Sequence, residues 1–176
     1  RELSGDASAE IDLDLSVDEA GGLIVRQTAR RESPELLSAS WGIAGIDGSR
    51  VKVIVPAQGG TIIDGLRGSG SSSFSWPSSW QAALVIVQGD DGGFSVWADD
   101  PECAFKSLDV RRFAGELTLT FGTESRDALS SARSVASPAW HIRAHRGDWK
   151  GAALAFREAM ADRIGLPPIE SREPAW

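Results

Sequence analysis

The sequence predicts an all-β, antiparallel sandwich that ends in one α-helix. Three features predict it: alternation of apolar and polar residues over 10–18, an apolar run with a Gly-rich turn over 82–97, and helical spacing from Asp148 onwards. Successive strand patterns have no helix between them, which is typical of antiparallel sheets. We therefore expect about nine strands followed by the helix.

The first predicted hairpin covers residues 10–30. Ile11, Leu13, Leu15 and Val17 alternate with polar, mostly acidic residues, and this period of two predicts a half-buried strand. The turn EAGG leads into LIVRQTARR, which is rich in β-branched residues and arginine. The acidic outer face of the first strand is therefore expected opposite the arginines of the second.

The middle of the chain contains strand patterns and one long polar stretch. ELLSASWGIAGI and SRVKVIVPA predict two strands, the second ending at Pro56, and QGGTIIDG predicts a loop or a short edge strand. LRGSGSSSFSWPSSW is rich in Gly and Ser and predicts an exposed connection of more than about ten residues.

The clearest hairpin lies in QAALVIVQGDDGGFSVWADD. Residues 82–87 are apolar on both faces, which predicts a central strand covered on each side, and GDDGG supplies the residues that a tight turn requires. CAFKSLDVRRF, GELTLTFG and AWHIRAHRG predict the remaining strands.

The helix begins at Asp148, a favourable N-cap residue, and ends at Gly165 and Pro167. Its spacing places six apolar residues on one stripe: Trp149, Ala152, Ala153, Phe156, Met160 and Ile164. The predicted organisation is a sandwich over 1–146, a helix packed on it over 147–165, and a linker over 166–176.

Composition narrows the classes of function. The chain has 176 residues, a net charge of −7 and scattered Lys and Arg residues, which argues against a nucleic-acid partner. The sequence has no run of 18 apolar residues, so no membrane-spanning helix is predicted. The N-terminus lacks the pattern of a signal peptide. Cys103 is the single cysteine, so neither an internal disulfide nor a cysteine metal cluster is expected. We expect no cofactor.

The two histidines do not form a metal site. His141 and His145 lie four residues apart on one predicted strand, which separates them by about 13 Å. They alternate with Trp140 and Ile142, so a surface position or a partner interface is expected for both.

Two aspartates and two tryptophans are the remaining candidates for a binding site. Asp99 and Asp100 end a strand before Pro101, where they would either accept hydrogen bonds from a sugar or cap the loop. Trp76 and Trp80 flank a proline in the Gly/Ser-rich stretch and are candidates for contact with a sugar ring or a neighbouring domain, with packing on their own sandwich as the alternative.

Four segments resemble the N-terminal, galactose-mutarotase-like β-supersandwich of multidomain bacterial glycoside hydrolases: VIVPAQGG, WPSSWQAALVIVQGDDGGFSVWADD, FKSLDV and HRGDWKGAALAFREAM. The last is the most specific, since that family has a G-D-W-x-x-A-A-x-x-[YF]-R helix. Seven residues match it: Gly147, Asp148, Trp149, Ala152, Ala153, Phe156 and Arg157. The resemblance spans about residues 40–176 and is greatest to relatives of the α-galactosidase and endo-α-N-acetylgalactosaminidase type.

The resemblance implies a non-catalytic domain that supports a following (β/α)8 barrel, and it favours an extracellular or periplasmic location over the cytoplasm. It places the catalytic carboxylates on the barrel, so no catalytic residue is carried over to this chain. Trp176 would begin the first barrel strand. Trp149, Phe156 and Trp176 are the expected domain-interface residues, and Trp80, Trp97, Asp99 and Asp100 are expected towards the barrel.

Two alternatives remain open at this point. A stand-alone carbohydrate-binding module would use Trp76 and Trp80 as a stacking platform for sugar rings. An aldose epimerase would need His141 or His145 as the acid and Asp99 as the base, converging in one concave pocket.

Overall fold

The computed structural model describes residues 9–32, 35–65, 68–127 and 131–165. The predicted linker over 166–176, with Trp176, lies outside these ranges. The described residues form two antiparallel sheets and one helix, which confirms the all-β sandwich with a single C-terminal helix. No helix in the described ranges is long and apolar enough to cross a membrane.

The larger sheet has eight strands. They are β1 (Ala9–Val17), β2 (Leu23–Arg31), β4 (Lys52–Val55), β5 (Thr61–Asp64), β7 (Leu84–Gln88), β8 (Gly92–Asp99), β11 (Ser134–Ala136) and β12 (Ala139–Arg146). Their order is β1-β2-β12-β8-β7-β4-β5, and β11 also pairs with β2. β1 and β5 are therefore edge strands.

The smaller sheet has four strands. They are β3 (Ser38–Asp47), β6 (Gly70–Trp76), β9 (Lys106–Phe113) and β10 (Glu116–Glu124), in the order β3-β10-β9-β6. β6 corrects the prediction of an exposed connection over the Gly/Ser-rich stretch. Its Phe74 lies opposite Leu108 of β9 and is buried, so cross-strand pairing outweighs the weak β-propensity of glycine and serine.

Inward-facing residues of both sheets form the main core. Trp140 is fully buried among the aromatic rings of Trp41, Trp80 and Phe121, with ring centroids 5.0–6.3 Å away. Leu108, Leu117 and Leu119 are also fully buried. The core therefore depends on aromatic rings that the two sheets contribute together.

The C-terminal helix α1 (Trp149–Arg163) packs on the outer face of the larger sheet. Asp148 caps it, because its carboxylate accepts a hydrogen bond from the Lys150 backbone N–H at 3.0 Å. Ala152, Phe156 and Met160 pack over Leu84 and Ile86 of β7 and Trp97 of β8. With Val85 and Val87 buried on its inner face, β7 is covered on both sides, as the sequence predicts.

Two residues of the predicted helical stripe are not packed. Trp149 is 40% exposed and Ile164 is 64% exposed. Two residues separate β12 from Trp149, which begins the helix near the start of the adjacent strand β8, where Gly92 and Gly93 offer no side chain to pack against. Phe156, which the sequence also predicts as a domain-interface residue, therefore packs on the chain's own sheet and holds the helix there, whereas Trp149 does not.

The first strand also differs from the prediction, because it is not half-buried. Ile11, Leu13, Leu15 and Val17 are 50–70% exposed. The smaller sheet ends at β3, beneath β2, where Gln27 donates a hydrogen bond to the Ser40 carbonyl at 2.8 Å. β1 therefore extends past the edge of the smaller sheet, and nothing in the described part of the chain covers its apolar row.

Candidate functional site

A cleft opens at one end of the sandwich, where α1 ends. It has a volume of about 400 Å³ and is lined by residues 99–102, 104, 124–127 and 134–139, and we call it the end cleft. Five carboxylates and one arginine are among its lining residues: Asp99, Asp100, Glu102, Glu124, Asp127 and Arg126.

Asp100 caps the loop beside the end cleft. Its side chain is 7% exposed and accepts hydrogen bonds from the backbone N–H groups of Ala104 at 2.6 Å and Glu102 at 3.2 Å. The buried ammonium of Lys106 lies 2.7 Å from the same carboxylate. Of the two roles that the sequence leaves open for Asp100, these contacts favour loop capping over sugar binding.

Trp76 lies next to this ion pair. The Lys106 Nζ atom is 3.8 Å from the centroid of the Trp76 ring, so the ammonium covers one face of the indole. The ring is half-buried and packs against the main core. At least one face of the Trp76 ring therefore packs against residues of its own sandwich.

Trp80 is fully buried, which corrects its prediction as a ligand-stacking residue. Its Nε1–H group donates to the Leu84 carbonyl at 2.9 Å, and its ring stacks on Trp140 with an interplanar angle of 14°. A buried indole with its N–H group satisfied behaves as a core residue. The Trp76 and Trp80 pair therefore does not form an exposed platform.

Asp99 links the end cleft to the helix. Its carboxylate lies 2.9 Å from the Arg163 guanidinium in the last turn of α1. The side chain remains 23% exposed and lines the cleft. Asp99 thus lies at the end of the molecule to which α1 leads, although it already has a cationic partner.

Trp97 lies between the helix and His141. The His141 ring stacks on the indole with centroids 4.2 Å apart and an interplanar angle of 7°, and Phe156 meets it edge-on at 6.0 Å. Trp97 is 7% exposed. Because its neighbours occupy the ring, Trp97 holds α1 on the sheet and offers no free face to a ligand.

The His141 side chain lies on the outer face of the larger sheet, whereas the Trp140 side chain points into the core, as the alternation predicts. Its Nδ1 atom is 3.8 Å from the Asp18 carboxylate, beyond hydrogen-bond range. That carboxylate already accepts hydrogen bonds from Arg143 and the Gly22 N–H group, both at 2.8 Å. The carboxylate beside His141 is therefore engaged by other donors, and Asp99, the base that an epimerase would use, is paired with Arg163 at 2.9 Å.

Burial lowers the pKa of His141 below the usual 6.5 and is the main cause of the shift. The negative charges of Asp99 and Asp18 oppose it, whereas the positive charges of Arg143 and Arg26 act in the same direction. The ring is therefore neutral at pH 7.

His145 has a structural partner at the start of the helix. Its Nε2 atom is 3.0 Å from Gln88 Oε1, while the Gln88 amide nitrogen donates to the Gly147 carbonyl at 2.9 Å. Burial lowers the pKa of His145, and the charge of Asp148 opposes the shift. The neutral ring thus donates from Nε2 and joins β12 to the turn before α1.

We expect the His141→Phe variant to weaken the pH dependence of stability. The unfolded chain binds a proton at a pKa near 6.5, more readily than buried His141 does, so acidification from pH 7.5 to 5.5 favours unfolding. Phenylalanine keeps the ring contact with Trp97 and removes the titrating group. Between pH 7.5 and 5.5 the melting temperature should fall less in the variant than in the parent chain. An equal fall in both would contradict the lowered pKa of His141.

Exposed apolar side chains lie beside the end cleft. Leu37 is 52% exposed and Phe105 is 61% exposed, and their carbonyl groups accept hydrogen bonds from Ser125 and Glu124 of the cleft wall. Ile164, one residue beyond Arg163, is also exposed. No group of three or more His, Cys, Asp or Glu side chains within the described ranges could hold a metal ion.

No protein-family model matches this chain, and no curated protein matches it either. Its function must therefore be inferred from the surface that the fold creates. Two features stand out: the end cleft with its exposed apolar neighbours, and the uncovered edge strand β1.

Proposed function

We propose that this chain is a non-catalytic β-sandwich domain of a glycoside hydrolase-like, carbohydrate-active enzyme, and that it supports the active site of a following (β/α)8 barrel. The observation that carries this proposal is the direction of α1. The helix leads the chain to the end cleft, where Leu37, Phe105 and Ile164 leave apolar surface exposed. Exposed apolar residues next to a cleft are typical of an interaction surface.

The residues behind the family resemblance have matching structural roles. Gly147 has a φ of 73° and turns the chain after β12, Asp148 caps the helix, and Ala152 and Phe156 pack on the sheet. The glycine, aspartate, alanine and aromatic positions of the G-D-W-x-x-A-A-x-x-[YF]-R pattern thus have a physical reason here, whereas Trp149 and Arg157 are exposed. Trp149 stays a predicted interface residue.

The polar lining of the end cleft suits a wall of a sugar-binding site. Glu124 and Asp127 add carboxylate oxygens to its rim, and carboxylates accept hydrogen bonds from hydroxyl groups. The two alternatives have less support, because a binding module would need the buried Trp80 and an epimerase would need Asp99, which is paired with Arg163.

The test compares the complete gene product with this 176-residue chain. In the complete protein, Phe105→Ser is expected to lower the melting temperature by about 3–6 °C, since a buried phenylalanine contact with the barrel is lost. In the isolated chain the same change should have little effect. Activity on α-galactosides and α-N-acetylgalactosaminides is expected from the complete protein alone.

Phe113 provides the matched control, because it ends β9 at the opposite end of the sandwich and is 63% exposed, against 61% for Phe105. Phe113→Ser should leave both proteins unchanged. The proposal fails if the gene encodes no barrel after Trp176, or if Phe105→Ser affects the complete protein no more than Phe113→Ser does.

A further inference from the structure

The free edge of β1 combines an apolar row with an acidic row. Leu13 and Leu15 belong to the apolar row and are 50% and 57% exposed. The other face of the strand carries Glu10, Asp12 and Asp14, all exposed. Among the described residues, β1 pairs with β2 alone, so the opposite edge offers unpaired backbone groups.

The existing partner of β1 shows which sequence fits this strand. On β2, Val25 lies opposite Leu15, Arg26 lies opposite Asp14, and Arg30 binds Asp12 with an N–O distance of 2.7 Å. Leu15 thus meets an apolar residue and the acidic row has arginines beside it, whereas Gln27 lies opposite Leu13 and Thr28 lies opposite Asp12. A second strand of this composition would meet the same two rows on the free edge.

A second copy of the chain does not satisfy the acidic row. Antiparallel pairing of two β1 strands with apolar residues opposite one another also sets acidic residues opposite acidic residues. Centred on Leu13, for example, such pairing sets Asp12 of each copy opposite Asp14 of the other. Like charges directly opposite one another destabilise a strand pair. The acidic row therefore selects against self-pairing.

We propose that the free edge of β1 binds an extended peptide segment of another protein, in which apolar and basic residues alternate. The segment adds a strand to the larger sheet, with its backbone groups pairing with those of β1 and its basic side chains beside Asp12 and Asp14. The net charge of −7 favours the approach of such a segment. This inference does not depend on a following barrel.

The test measures binding of a synthetic peptide, LIVRQTARR, which copies the sequence of β2, to the 176-residue chain. Fluorescence anisotropy of the labelled peptide should show saturable binding that weakens with salt. The same peptide with its three arginines replaced by glutamate should bind about tenfold more weakly or worse. A third peptide, with proline in place of its glutamine, should also lose binding, because proline lacks the backbone donor.

Variants of the chain then locate the site. Asp12→Lys/Asp14→Lys should lose about tenfold in affinity for the arginine peptide and gain affinity for the glutamate peptide. Asp90→Lys/Asp91→Lys, an identical charge change in the exposed β7–β8 turn, is the matched control and should bind as the parent does.

Three outcomes would overturn the proposal. Equal binding of the proline peptide would indicate charge attraction without a strand, and unchanged binding by the Asp12→Lys/Asp14→Lys variant would place the site elsewhere. A concentration-dependent dimer of the parent chain that this variant alters would assign the edge to a second copy.

Discussion

Replacing Trp140 by alanine is expected to lower the free energy of unfolding by about 3–5 kcal/mol. Trp140 is fully buried at the centre of the main core, between the stacked Trp80 ring and the rings of Trp41 and Phe121. Both sheets meet at this ring, so its removal leaves a cavity that neither sheet can close without moving the other.

Urea unfolding followed by far-ultraviolet circular dichroism is the measurement, since it does not depend on tryptophan fluorescence. Trp149→Ala removes the same side chain at a site that is 40% exposed and should cost less than about 1 kcal/mol. Similar losses for the two variants would contradict the position of Trp140 in the core. Trp140→Phe should lose less than alanine does, because most of the volume stays filled.

Several elements could be predicted from the sequence because their determinants are local. The alternation in residues 10–18, the doubly apolar run at Leu84–Gln88 and the N-cap at Asp148 each specify an element through neighbouring residues. Local patterns do not predict burial when it depends on how many strands the facing sheet has. Alternation shows that Leu13 and Leu15 share a face, but it does not show that the smaller sheet ends before reaching them.

The prediction of an exposed connection over the Gly/Ser-rich stretch was wrong for a different reason. Distant partners in the fold outweigh the local preference of glycine and serine for loops. Phe74 is buried opposite Leu108, and Trp80, just beyond the strand, stacks on Trp140 from sixty residues further along the chain. No local pattern encodes these contacts. The sequence around Trp80 therefore predicts an exposed indole, although the fold buries it.

The partners of the candidate site residues could not be predicted from local patterns. Asp99 and Asp100 lie at the end where α1 finishes, and their partners Arg163 and Lys106 come from later elements. The one sequence feature that could have revealed Lys106 is its place in the apolar-rich segment CAFKSL, where a lysine needs a buried counter-charge.

Replacing Lys106 by methionine is expected to cost about 3 kcal/mol or more, because it breaks a buried ion pair and leaves one charge behind. Lys106 and Asp100 have side chains that are 2% and 7% exposed and lie 2.7 Å apart. The ammonium also donates to the Ala104 carbonyl at 2.7 Å and covers the Trp76 ring. Methionine fills a similar volume, so the loss reports mainly on the Asp100 carboxylate, which then keeps only the more exposed Arg126 guanidinium, at 3.6 Å.

Chemical denaturation of two further variants separates this cause from lost packing. Arg30→Met breaks the exposed pair with Asp12, where the side chains are 57% and 59% exposed, and should cost less than about 1 kcal/mol. Lys106→Met/Asp100→Asn removes the charge left on Asp100 and should regain part of the stability lost in Lys106→Met, while the asparagine oxygen still accepts one of the two loop hydrogen bonds. A double variant that is less stable than Lys106→Met would show that Asp100 acts chiefly through its loop hydrogen bonds, with the ion pair secondary.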